Sequence, residues 1–115
     1  MDSLSDWVDR YRVAWETNDP DDIGSLFTDT AVYLTEPYAE PQRGRDEIVR
    51  NWIEEKDEPG ETEWIFKVIG RDGDLGFVQG TATYKNPPRV YSNLWVIRLE
   101  GDRCSEFTEW WMEHK

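Results

Sequence analysis

Apolar positions change their period once along this chain. Leu4, Trp7, Val8, Tyr11, Ala14 and Trp15 recur at three-and-four spacing, which predicts an amphipathic helix over residues 4–17. Asn18-Asp19-Pro20 ends it and opens the next element, because Asp19 is a good N-cap and Pro20 suits a first helical position. A short helix through Ile23, Leu26 and Phe27 follows. Ala31 to Glu36 is β-branched and aromatic, a short strand halted by Pro37, and Glu36 to Gly44 reads as a loop. Ile48, Val49, Trp52 and Ile53 mark a third helix, which Asp57-Glu58-Pro59-Gly60 should stop.

From Thr62 onward the period becomes two. Thr62–Gly70, Leu75–Lys85, Val90–Glu100 and Arg103–Met112 read as four strands. Asp72-Gly73, Asn86-Pro87-Pro88-Arg89 and Gly101-Asp102 separate them with hairpin turn chemistry. Helices first and an antiparallel meander after is an α+β pattern, with the helices gathered on one face of a curved sheet.

Hairpin turns set register, and register sets faces. With Gly101-Asp102 as a two-residue loop, Leu94 stands opposite Glu109 and Val96 opposite Phe107. Extended through the other turns, one face collects Trp64, Phe66, Val68, Phe77, Gln79, Thr81, Leu94, Val96, Arg98, Phe107, Glu109 and Trp111. This set is the more apolar and is expected beneath the helices. The other collects Tyr84, Tyr91, Asn93, Trp95, Glu106 and Trp110 with several charged and small residues. It suits a subunit interface, where Tyr and Trp are enriched. A β-bulge in either long strand would exchange part of this assignment.

Composition narrows the function. The 115 residues suit one domain spanning the chain. A net charge of −12 repels phosphate backbones and anionic lipids, so neither nucleic acid nor membrane is an expected partner. No apolar run reaches the ~20 residues of a membrane span and the first residues lack a basic leader, so a cytoplasmic location is expected. The single cysteine, Cys104, cannot form an internal disulfide. The single histidine, His114, leaves no Ser-His-Asp triad, Cys-His pair or His-rich metal site. No metal or organic cofactor is expected; chemistry, if any, would come from carboxylates, tyrosine and arginine. Most of the seven tryptophans are expected to fill the core; Trp7, Trp15, Trp64 and Trp111 are candidates to line a pocket, with core filling the more expected role for Trp7.

The segments Tyr11–Trp15, Leu26–Tyr33 with Glu36-Pro37, Gly44–Ile48 with Trp52, and Glu106–Trp111 together resemble the SnoaL-like group of the nuclear transport factor 2-like superfamily. The resemblance spans nearly the whole chain. It implies a cone-shaped roll, with three N-terminal helices packed in the concave face of a strongly bent, mainly antiparallel sheet around an apolar pocket. Relatives include polyketide cyclases, a ketosteroid isomerase, an epoxide hydrolase and non-catalytic binding modules, so fold leaves activity open.

By this resemblance Glu36, just before Pro37, matches the proton-shuttling base of the ketosteroid isomerase branch. Tyr11 matches its hydrogen-bond donor to the substrate oxygen. That branch also places an aspartate on the penultimate strand, where this chain reads Asn93-Leu94-Trp95-Val96. Glu109 is the candidate second acid, or else an ion-pair partner of Arg98 on the same face. Trp15, Trp64, Phe66, Gln79, Thr81, Leu94, Phe107 and Trp111 are the expected ligand-binding lining. Two functions follow: a cofactor-independent acid–base enzyme (isomerase, cyclase or hydratase) acting on an apolar oxygenated small molecule, or a non-catalytic module with the same pocket. A homodimer through the outer face, using Trp95, Trp110, Tyr84 and Tyr91, is expected.

Overall fold

A computed structural model of the chain describes residues 3–54, 62–85 and 88–114. The helices are α1 (Ser3–Thr17), α2 (Pro20–Gly24) and α3 (Arg45–Glu54). The strands are β1 (Phe27–Leu34), β2 (Gln42–Arg43), β3 (Thr62–Asp72), β4 (Leu75–Lys85), β5 (Pro88–Glu100) and β6 (Arg103–Glu113). The expected stop at Asp57–Gly60 lies outside the described residues. All six strands form one mixed sheet in the order β2-β1-β6-β5-β4-β3, in which β1 runs parallel to β6 and the other pairs are antiparallel.

Local chemistry accounts for the opening. Asn18 ends α1 with φ 51°, a left-handed conformation that asparagine tolerates, and its N–H donates to Ala14 O. Asp19 then caps α2, its side chain accepting from the Asp21 N–H, with Pro20 at the first helical position. The second helix is shorter than the pattern suggests. Leu26 O accepts from the Cys104 N–H at 2.7 Å, so the chain is already joining β6, and Phe27 begins a strand instead of ending a helix.

The apolar stripe of α1 is buried as its spacing requires: Leu4, Trp7, Val8, Tyr11 and Ala14 all lie in the core. Trp7 reaches furthest, its indole N–H donating to Leu26 O over 2.9 Å. Ile23, Leu26, Phe27, Ala31, Ile48, Val78, Trp95, Ile97, Leu99, Cys104 and Phe107 belong to the same cluster.

Two β-bulges reorganise the sheet. In the β5–β6 hairpin the register runs Glu100 opposite Arg103 and Leu99 opposite Cys104, then shifts so that Arg98 meets Glu106. Ser105 is the extra residue. In the β3–β4 hairpin the register shifts between Val68 and Gly70, leaving Ile69 extra. The β4–β5 register has no shift. Each bulge turns one outer strand over relative to the middle pair. The helix-covered face therefore carries Trp64, Phe66 and Val68 from β3 and Phe107, Glu109 and Trp111 from β6, as expected. From β4 and β5, however, it carries Val78, Gly80, Ala82, Tyr84, Tyr91, Asn93, Trp95 and Ile97.

Several sequence expectations are corrected by this. Gln79, Thr81 and Leu94 lie on the outer face. Trp95, Tyr84 and Tyr91 leave the expected interface for the helix-covered face, and Trp110 alone of that group stays outside. Two glycines explain why small residues belong within. A Cβ at Gly76 would stand 2.3 Å from Leu4 Cδ2, and one at Gly80 2.3 Å from Phe66 Cδ1. Both positions are glycine because helix and ring pass over the strand at contact distance.

Candidate functional site

A chamber of about 180 Å³ opens between α1 and the sheet, lined by Tyr11 and Trp15 of α1 with Trp64, Phe66, Ala82, Tyr84, Asn93, Trp95 and Glu109 of the strands. Each strand contributes through its alternation, so the two bulges decide this lining. Ala82, Tyr84, Asn93 and Glu109 also line an adjoining outer chamber of about 370 Å³, completed by Arg89, Tyr91 and Trp111. A wider groove of about 510 Å³ lies elsewhere, over α2 and α3. Its arginines are already engaged: Arg45 with Asp29, Arg50 with Glu47, and Arg103 with Phe27 O.

Rings set at steep angles build the inner chamber. Trp64 meets Tyr11 at 80°, Trp15 at 89° and Phe66 at 66°. Phe66 stacks on Trp95 at 4.1 Å between centroids. Such edge-to-face and offset contacts are the favourable ones for aromatic quadrupoles, so the walls hold each other in place.

Glu109 is the polar centre. Its Oε2 accepts from Asn93 Nδ2 at 2.7 Å and from Trp95 Nε1 at 3.2 Å. Burial raises its pKa above the ordinary carboxylate value, and the two hydrogen bonds oppose that rise only in part. The expected ion pair with Arg98 is not formed. The bulge sends Arg98 to the outer side, where it pairs with Asp74 at 3.0 Å and Glu106 at 3.4 Å. Among the described residues, no ion pair involves Glu109. The other end of the Asn93 amide, Oδ1, is buried and accepts no hydrogen bond among the described residues.

Tyr11 is buried beside Trp52, Trp64, Trp95 and Phe107. Its hydroxyl hydrogen-bonds with Tyr33. Its pKa is raised, first by burial and then by neighbouring charges that include Glu109. Phe107 is fully buried behind the chamber, stacked on Tyr33 at 4.6 Å. Trp111 faces the outer chamber, edge-on to Tyr91.

Glu36 lies apart from this group. It sits beyond the end of β1, its carboxylate accepts from the hydroxyl of the exposed Tyr38, and it lines neither chamber. The structure thus brings Tyr11, Glu109, Trp15, Trp64 and Phe66 together and leaves Glu36, Gln79, Thr81 and Leu94 outside. Trp95, Asn93, Tyr84 and Ala82 are chamber residues that the strand pattern had put on the wrong face. Their signal is present: Gly76, Gly80 and Ala82 alternate on one face of β4, and strand glycines mark close approach. Among the described residues no three His, Cys, Asp or Glu side chains group as metal ligands, and no helix is long and apolar enough to cross a membrane.

An aromatic chamber between a first helix and a mixed six-stranded sheet defines an α+β pocket fold. The profile of the SnoaL-like domain matches residues 8–107, and the chain belongs to that family. Its solved structural neighbours are nuclear transport factor 2-like. One, a protein of unknown function from Burkholderia xenovorans LB400, superposes with a TM-score of 0.78 at 13% identity over 98% of this chain and 85% of its own. An epoxide hydrolase from M. tuberculosis gives 0.71 at 16% identity, covering 92% of this chain and 80% of its own. A hypothetical protein with a ketosteroid isomerase-like fold from Catenulispora acidiphila DSM 44928, in complex with trimethylamine, gives 0.67 at 20% identity, covering 90% of this chain and 83% of its own. Among curated proteins no match is found.

Proposed function

We propose that this SnoaL-like protein binds a small, largely apolar molecule in the inner chamber, with Glu109 as its charged anchor and without catalysing a reaction. The observation that carries this reading is the position of Glu36. With that carboxylate outside, the chamber holds one acid among the described residues, where a base-and-acid pair would need two. A volume of about 180 Å³ suits compounds on the scale of the trimethylamine held by the Catenulispora protein. Thermal-shift measurements on the wild type and a Trp64→Leu variant, over a panel of small cyclic and aliphatic compounds, test it. Stabilisation of the wild type by some members, lost in the variant, is expected. Uniformly zero shifts would reject the reading.

A second reading is favoured by Glu109 itself: a cofactor-independent isomerase, cyclase or hydratase acting on an apolar oxygenated molecule. A carboxyl with a raised pKa, facing the same cavity as a tyrosine donor, has the makings of a proton carrier beside an oxyanion-stabilising group. Glu109 would move the proton and Tyr11 would donate to the substrate oxygen. The α-protons of 2-tetralone in deuterated water provide a direct assay. Exchange accelerated by wild type and abolished in Glu109→Gln supports catalysis, whereas exchange at the buffer rate removes it.

A homodimer remains part of the proposal, now through the outer face with Trp110, Ile65 and Met112. These side chains are exposed there. Light scattering of the wild type and a Trp110→Glu variant tests it, with a monomeric variant expected.

A further inference from the structure

Of the nine described residues around the inner chamber six are aromatic, and Glu109 is the only charged one among them. Both facts bear on the charge of the occupant. Aromatic faces are the negative part of the ring quadrupole, and they attract cations while offering nothing to anions. Glu109 is a carboxyl taken out of water and supported only by the neutral donors Asn93 and Trp95, with no ion pair among the described residues. Such a group is normally matched by a counter-charge. The chamber therefore combines an aromatic lining with an acid that forms no ion pair among the described residues.

Cations of the chain already lie over some of these rings and their neighbours. The Arg12 guanidinium lies 5.1 Å from the Trp64 centroid. Arg89 lies 5.5 Å from Tyr84 and 5.9 Å from Tyr91, with its Nη1 donating to the Tyr91 hydroxyl. Arg89 thus stands in the outer chamber without pairing to Glu109. The net charge of −12 adds a field that concentrates small cations near the protein.

We propose that the inner chamber binds the head group of a small organic cation, a protonated or quaternary alkylamine, with Tyr11, Trp15, Trp64, Tyr84 and Trp95 as its cage and Glu109 as its counterion. The adjoining chamber, which shares Glu109 and Asn93, takes the tail. This assignment rests on the binding reading above and adds the ligand's charge to it.

Calorimetric titration of the full chain with choline and with its uncharged isostere 3,3-dimethyl-1-butanol decides the matter, because the two share shape and differ in charge. Choline should bind at least about tenfold more tightly, a factor in keeping with a desolvated cation over aromatic rings. Glu109→Gln should lose that preference while keeping its affinity for the alcohol, and Trp64→Leu should weaken choline; circular dichroism checks that both variants fold. Equal affinities for the two probes, or a preference that survives in Glu109→Gln, overturn the cation assignment and leave the binding function standing. Failure of both probes at saturating millimolar concentrations overturns the assignment and counts against the binding function as well.

Discussion

Trp95 stands directly opposite Glu109 in the β5–β6 ladder, and its indole N–H donates to the Glu109 carboxylate over 3.2 Å. The same indole stacks on Phe66 and packs against Tyr11. One side chain thus joins the acid to the aromatic wall. Removing it would unsettle charge and packing together, so the informative variants leave it in place.

Glu109 makes stability depend on pH. In the folded chain burial holds its pKa above the ordinary value, whereas in the unfolded chain it titrates normally. Below the unfolded value both states bind the proton and Glu109 costs nothing. As pH rises through the folded value, the unfolded state gives up the proton more readily and stability falls. Tyr11, Tyr84, Arg89 and Tyr91 face the same cavities. Comparison with Glu109→Gln, which leaves those groups unchanged, isolates the effect. Urea unfolding from pH 4 to 9 should show the variant gaining on the wild type as pH increases. A constant difference would contradict the burial of this acid.

Gly80→Ala should be strongly destabilising. The new methyl would lie 2.3 Å from Phe66 Cδ1 and 2.4 Å from Ile65 O, and the latter is backbone that cannot rotate away. Forced overpacking of this kind costs about 2–3 kcal/mol. Denaturant midpoints measure it, and near-ultraviolet circular dichroism should register displacement of Phe66 from Trp95. A variant of wild-type stability would mean that the β3–β4 register differs from the one described.

Cys104 should be inert in the native state. It is fully buried, and burial pushes its thiol pKa well above the ordinary value, which suppresses the reactive thiolate. Ellman's reagent should label nothing in the folded protein and the single cysteine after unfolding. Rapid labelling under native conditions would place this strand end in solvent.

Glu36→Gln and Arg98→Ala should both leave ligand-induced stabilisation at the wild-type level. Glu36 meets only the exposed Tyr38 among its described polar partners, and Arg98 pairs with Asp74 and Glu106 at the surface. Exposed ion pairs contribute little. A ligand response that disappears in Glu36→Gln would restore the two-carboxylate arrangement that the resemblance implies.

The sequence by itself determined the three helices and five of the six strands in their order; the two-residue β2 fell within the expected loop, and β1 begins at Phe27 where a helix end was expected. The stripe from Leu4 to Trp15, the Asp19-Pro20 start of α2 and the period-two strands are local signals, and local hydrogen bonding and burial enforce them directly. The register count put Trp64, Phe66 and Glu109 on one face and the resemblance pointed to Tyr11, and all four line the inner chamber. Only the tertiary structure decided which face of β4 and β5 turns inward. Ser105 and Ile69 are extra residues in their hairpins, and a one-residue slip exchanges every side chain between faces. No single-strand periodicity encodes that slip. It brings Trp95 and Asn93 to Glu109, carries Arg98 away from it, and so leaves Glu109 among aromatic rings with no ion pair among the described residues.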